Sequence, residues 1–342
     1  MAREPVKPNT DGKVVWDIIF SLTGFPAVFV SHDLGVFESL DDSPATLSEL
    51  AERLGIAERP LDALLAINTS VGLLAKKNGV YSLTQVADEY LTSKSDCYMG
   101  GPLELISKNE FTNSISALKK AVTTNSAQTY ATGEVFKSHE EMAEEAKVFT
   151  RAMHGFSMAP ALHWPNKLDL SSYSHFLDVG GGSGAHTVGV LSRWPQMRGT
   201  VFDLGVICEV ARETFAQYGL QDRADTSVGD LWEMDFPKAD IHFYSQIFHD
   251  WPREKCEFLA HKSFRSLAPG GKILVHEILY DDERTQPLAA AASNIGMLLW
   301  TDGKQYSGKE VREILQGAGF VDIEIVSTYA DWSIVSGNKP MS

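Results

Sequence analysis

Phe176-Leu177-Asp178-Val179-Gly180-Gly181-Gly182-Ser183-Gly184-Ala185-His186-Thr187 reads as a buried strand that runs into a glycine loop and then a helix. A short apolar run, Phe176, Leu177 and Val179, is broken by Gly180, Gly181, Gly182 and Gly184, and a helical pattern follows. Glycines at such a turn let the backbone approach a ligand closely, and the helix beyond them presents free N–H groups at its N-terminus.

Two loop patterns fit these residues. Gly180, Gly182 and Ala185 match the G-x-G-x-x-G/A of a dinucleotide site, while Asp178-x-Gly180-x-Gly182-x-Gly184 matches the S-adenosylmethionine (SAM) loop. Asp203 ends the next apolar run (Thr200, Val201, Phe202), where either cofactor would need an acid for its ribose hydroxyls. The later landmarks separate the two. Gly229-Asp230 follows a third run, and Phe248-His249-Asp250-Trp251 follows a fourth (Ile241, His242, Phe243, Tyr244). Leu267-Ala268-Pro269-Gly270-Gly271-Lys272 then turns into a fifth strand, Ile273 to Glu277. In order and spacing this set resembles the class I SAM-dependent methyltransferases. More narrowly it resembles the small-molecule O-methyltransferase family of the plant caffeate and the acetylserotonin enzymes, most closely from Phe176 to Phe320 and loosely over nearly the whole chain.

The 342 residues suggest about two domains, and 44% hydrophobic residues suffice for real cores. A formal charge of −15 repels phosphate backbones and anionic membranes, so neither a nucleic acid nor a membrane is an expected partner. Cys97, Cys208 and Cys256 lie far apart and form no metal-ligand spacing; no metal is expected, and the thiols read as reduced in a cytoplasmic protein. The N-terminus is polar and shows no apolar signal region. Val14 to Val30 is apolar-rich but carries Asp17, Ser21, Thr23, Gly24 and Pro26, which reads as a buried helix pair rather than a membrane span.

From Pro44 to Thr92 the pattern is helix, turn, helix and hairpin. Ser43 or Thr46 can cap a helix over Leu47 to Leu54 that stops at Gly55, and Glu58-Arg59-Pro60 opens a second with Leu61, Leu64, Leu65, Ile67 and Val71 at helical spacing. Leu73 to Ala75 and Val80 to Leu83 flank Lys76 to Gly79 as a wing. A winged helix can bind DNA, but Leu61 to Leu74 lacks the basic and amide face this requires, Arg59 being the one arginine nearby. The resemblance implies a homodimerisation module instead. Expected domains are a winged-helix-like dimerisation region over 1–100, a helical connecting and acceptor-pocket region over 101–170, and a doubly wound, Rossmann-like SAM-binding domain over 171–342. The whole is an α/β chain with a mainly helical N-terminal part. Within the helical region Thr123 to Thr132 is polar, and Ser138 to Met142 reads as a capped helix start. Phe320 to Val326 and Trp332 to Val335 read as two closing strands.

The resemblance assigns the site as follows. The Gly180–Gly184 loop, with Asp178, passes beneath the methionine portion of SAM. Asp203 with Leu204 takes the ribose, and Asp230 meets the adenine amino group while Leu231 and Trp232 pack on the ring. Ser245 stands where many relatives carry a cofactor-touching lysine. His249 is the general base that removes the acceptor hydroxyl proton, a task that suits imidazole because its ordinary pKa lies near neutrality. Asp250 reads as a helix cap and Trp251 as a packing residue. Of the two glutamates that flank the histidine in the family, one matches Glu277. The other falls in Gly303-Lys304-Gln305-Tyr306, where Gln305 is neutral and cannot stabilise an imidazolium by charge, so a weaker base is expected. Met153, His154, Phe156, Ser157 and Met158, with Asn294, Met297, Leu298 and Trp300, are the candidates for the pocket of a small-molecule acceptor. His154 or Lys304 could pair with an acceptor carboxylate.

Gln305 keeps a second chemistry open. Methylating a thioether needs no base, and Trp300, Tyr306 and Trp332 could hold the sulfonium product by cation–π attraction, as in S-methyltransferases of methylthio-hydroxybutyrate on the route to dimethylsulfoniopropionate. A third reading is a catalytically inactive SAM-fold regulator that binds DNA. The retained His249 and Glu277 favour O-methylation.

Overall fold

The computed structural model describes residues 3–128 and 143–341, so the helix start expected over 138–142 lies outside the described residues. The chain divides into two compact units, Met1–Ser107 and Lys108–Ser342.

The first unit opens with one unbroken helix, Lys13–Asp33, instead of the expected pair of buried helices. Pro26 sits inside it, where it removes one backbone donor without ending the helix. Its apolar side chains are largely exposed, among them Val14, Trp16, Ile18, Phe20, Leu22 and Phe25. By length and composition it could cross a membrane (21 residues, mean hydropathy 1.7), which the interrupting polar residues did not suggest. After a short helix, Val36–Asp42, strand β1 (Ala45–Thr46) leads into helix Leu47–Leu54, started by a capping box between Thr46 and Glu49 and stopped by Gly55 at φ +65°. Helix Glu58–Ser70 follows, then the hairpin β2 (Leu74–Lys77) and β3 (Val80–Leu83). Positive φ at Asn78 and Gly79 makes a two-residue turn, tighter than the wing expected from Lys76. The sheet order is β1-β3-β2. Val36, Phe37, Leu50, Leu61 and Leu65 fill the core beneath it, and helices Gln85–Leu91 and Gly100–Lys108 follow.

In the second unit, helices Ile115–Thr124 and Ala143–His163 precede a seven-stranded sheet. Its strands are β4 (His175–Val179), β5 (Arg198–Asp203), β6 (Ala224–Val228), β7 (Ile241–Ser245), β8 (Lys272–Ile278), β9 (Val321–Tyr329) and β10 (Trp332–Asn338), in the order β6-β5-β4-β7-β8-β10-β9. All pairs from β6 to β8 are parallel, and the closing hairpin sets β10 antiparallel to both neighbours. Side chains alternate across it. Leu177, Phe202, Tyr244, Ile273, Val275 and Val335 face one core with helices Arg253–Ser266 and Gly308–Ala318. Phe176, Val201, Phe243, Leu274 and Ile334 face the other, with helices Ala185–Arg193 and Gly205–Gln217. This is the doubly wound α/β domain expected. Strand order reverses between β4 and β7, and in such sheets ligands bind at that switch, beyond the carboxyl ends of the strands.

Candidate active site

The loops beyond β4, β5, β6 and β7 leave the carboxyl ends of the parallel strands, on the side of the reversal point. The first follows β4, where Gly180, Gly182 and Gly184 all adopt positive φ. A Cβ on Gly180 would lie 2.6 Å from Ile247, and one on Gly184 2.6 Å from Phe215; at Gly182 it would meet nothing nearer than Thr150 at 4.0 Å. The loop is thus pinned at both ends and open at its middle. Asp178 is buried beneath it and accepts from Thr187 Oγ1 at 2.9 Å; burial and the charge of Asp203 push its carboxyl up to about 7 against that hydrogen bond. His154, on helix Ala143–His163, reaches the same loop through Ser183 Oγ at 2.8 Å, which makes it a neighbour of the glycines.

Asp203 ends β5 half-buried, with Oδ2 accepting from Gly182 N at 2.9 Å and Oδ1 from Leu204 N at 2.7 Å. Burial raises it to about 6 despite these bonds. After β6, Asp230 starts a turn, its Oδ1 accepting from Trp232 N at 2.7 Å while Leu231 and Trp232 pack on the neighbouring core. Gly229 N donates to Asp203 O at 3.0 Å and ties the two acidic loops together.

Beyond β7 the backbone turns sharply through Gln246 at φ +56°, a strained conformation for a residue with a side chain. Ser245 Oγ lies 3.1 Å from Nδ1 of the buried His276. A short 3-10 turn then carries Phe248, His249 and Asp250. Glu277, at the end of β8 and 1% exposed, holds this turn twice: Oε1 accepts from Phe248 N at 3.1 Å and His249 N at 3.4 Å, and Oε2 lies 2.8 Å from His249 Nδ1 as a close ion pair. Asp250 is not a helix cap, because helix Arg253–Ser266 is preceded by Pro252 and has no side-chain cap. Its carboxylate instead lies 3.6 Å from His249 Nε2. Burial alone would lower the imidazole, but Glu277 and Asp250 outweigh it and raise it to about 9; burial likewise raises Asp250 to about 6.

The loop 301–306 packs on this turn so closely that a Cβ at Gly303 would lie 2.0 Å from the His249 carbonyl oxygen. Gln305 is 1% exposed and does not bond to His249. Its Nε2 donates to Ile278 O, its backbone N donates to Asn294 Oδ1 at 2.8 Å, and its Oε1 has no partner among the described residues. Asn294 therefore fixes the loop. Lys304 is taken by Glu310 at 2.6 Å. Tyr306 is buried and donates to Trp251 O at 2.8 Å, Trp332 stacks on His276 at 4.8 Å, and Trp300 and Leu298 join an apolar cluster with helix Ile115–Thr124. Met153, Phe156 and Met297 are half-buried, Ser157 donates to Met153 O at 3.1 Å, and Met158 is plain core. Reading the sequence missed Asp250 as a partner of the histidine, although its place directly after His249 was a usable signal.

The family model described as O-methyltransferase domain matches residues 115–321, and that of the O-methyltransferase dimerisation domain matches 16–93. The chain is 32% identical to the 3-hydroxy-5-methyl-1-naphthoate 3-O-methyltransferase of Streptomyces sahachiroi, over 86% of this chain and 85% of that one. It is 27% identical to the acetylserotonin O-methyltransferase of Homo sapiens, over 91% and 93%. The solved structure of human N-acetylserotonin methyltransferase in complex with SAM has a similar fold, with a TM-score of 0.85 at 24% identity over 98% of this chain and 100% of that one.

Proposed function

The chain belongs to the SAM-dependent O-methyltransferase family, and we propose that it transfers a methyl group from SAM to the hydroxyl of a small aromatic acceptor, with His249 as the general base. The observation that carries this reading is the pair of buried Glu277 and half-buried His249, one loop away from the glycine turn.

The residues present fit the cofactor. Gly182 leaves open space above the loop for its methionine portion, and Asp178 lies beneath. Each oxygen of Asp203 takes one backbone donor and keeps a lone pair for a ribose hydroxyl, beside Leu204. Asp230 Oδ2 accepts no hydrogen bond among the described residues and suits the adenine amino group, with Leu231 against the ring. When bound, SAM supplies the electrophilic methyl. Glu277 fixes the imidazole through Nδ1 and leaves Nε2 to take the acceptor proton. Asp250 stabilises the imidazolium so formed, and burial of the site strengthens both interactions. Gln305 acts on loop position rather than on charge. His154, Ser157, Met153, Met297 and Asn294 remain the acceptor-side candidates, and the Streptomyces relative's hydroxynaphthoate supports a hydroxylated aromatic ring. The thioether alternative loses support, because Tyr306 is committed to Trp251 and Trp332 to His276.

The dimerisation-domain match supports a homodimer that covers the exposed apolar helix Lys13–Asp33. Glu58, Arg59, Pro60, Asp62, Ala63, Ala66 and Ser70 are the exposed residues of helix Glu58–Ser70, a poor surface for nucleic acid. Three unpaired cysteines suit a reducing, cytoplasmic setting. The test is methyl transfer from labelled SAM to two acceptor panels, phenols and methylthio acids. Turnover of phenols is expected; turnover of the thioether acids alone would overturn the reading.

A further inference from the structure

The connection from β6 to β7 contains no helix, yet its first turn holds Asp230 and Leu231. One stripe of helix Arg253–Ser266 lies against it: Lys255, Phe258 and Lys262, spaced i, i+3 and i+7. Lys262 is 7% exposed, and its ammonium donates to Leu231 O at 2.7 Å while lying 4.4 Å above the Phe236 ring. Lys255 lies 4.9 Å from the ring of Trp232 and 4.0 Å from that of Trp251, and these two indoles meet edge-on at 4.8 Å. The opposite side of the turn is equally tight, since a Cβ on Gly229 would fall 2.4 Å from the Phe202 ring. A lysine so nearly buried has given up much of its hydration, and its bond to Leu231 O, with the charges of Asp235 and Asp230 close by, offsets that loss. The bond fixes Leu231, and through the Asp230–Trp232 hydrogen bond it fixes the direction of the Asp230 carboxylate.

We propose that Lys262 is a positioning residue for cofactor recognition: it clamps the Asp230–Trp232 turn so that Asp230 can read the adenine amino group. The proposal rests on the adenine-site reading given above. A charge-assisted bond holds a turn more firmly than a neutral one, and the aromatic faces stabilise the same ammonium. Losing the clamp therefore affects base recognition and not chemistry at His249.

The test measures, by calorimetry, the affinity of the full-length protein for S-adenosylhomocysteine and for its hypoxanthine analogue, which lacks the amino group. Wild-type protein should prefer the adenine form by about tenfold or more, the scale of one well-formed hydrogen bond to a charged group. Asp230→Asn should abolish that preference. Lys262→Met should cut it to about threefold or less and raise the KM for SAM about tenfold, with the loss falling on KM rather than kcat. If Lys262→Met does not fold, Lys262→Gln keeps a neutral donor to Leu231 and should give a smaller loss in the same direction. A Lys262 variant that folds, retains wild-type preference and leaves the KM unchanged overturns the clamp while Asp230 keeps its role. An Asp230→Asn protein with intact preference overturns the adenine-site reading itself, and the clamp with it.

Discussion

A histidine between the buried Glu277 and the half-buried Asp250 holds its proton more tightly than free imidazole, and to act as the proposed base it must shed that proton before it can accept another. With the ring raised to about 9, kcat/KM should climb with pH and level off near that value. Glu277→Gln removes the nearer charge, so the rise should move to lower pH while the plateau rate falls; an unmoved limb would show that Glu277 does not set the base. The linkage runs the other way for folding. Because the folded pKa exceeds the ordinary 6.5, the pair's contribution to stability is complete below pH 6.5 and is lost as pH rises toward about 9. The charge that Gln305 lacks is supplied to His249 by Asp250, which the sequence reading took for a helix cap. Sequence shows which residue types are present, but the 3.6 Å approach of a neighbouring carboxylate depends on the 3-10 turn, a backbone geometry that side-chain pattern does not encode.

Elements were the most legible scale. Alternating apolar runs and glycine turns marked β4, β5, β7 and β8, because buried parallel strands must be apolar on both faces. The N-terminal helix was misread because Gly24 and Pro26 look like breaks, whereas a proline within a long helix need cost only one backbone bond. Packing between elements was less visible. A Cβ on Gly189 would lie 2.0 Å from Ala161 O, so helix Ala185–Arg193 rests on helix Ala143–His163 through bare backbone. Gly189→Ala should therefore destabilise the protein by about 1–3 kcal/mol or more, despite alanine's better helix propensity. Calorimetry would show this as a lower Tm; an unchanged or higher Tm would contradict the packing.

At the scale of the molecule, the exposed apolar side chains of helix Lys13–Asp33 need a cover, and the dimerisation-domain match makes a second copy the expected one. Placing charges at Trp16 and Phe20 (W16D with F20E) should shift the protein from dimer to monomer in light scattering; a persisting dimer would place the interface elsewhere. The chemistry attributed to the molecule depends on one side chain. The decisive measurement compares wild-type protein and His249→Ala for methyl transfer from SAM to a phenolic acceptor, both at saturating cofactor. A loss of roughly 10²–10⁴-fold, the usual worth of a positioned base, is the predicted result. Transfer to the hydroxyl at near wild-type rate in His249→Ala would contradict it.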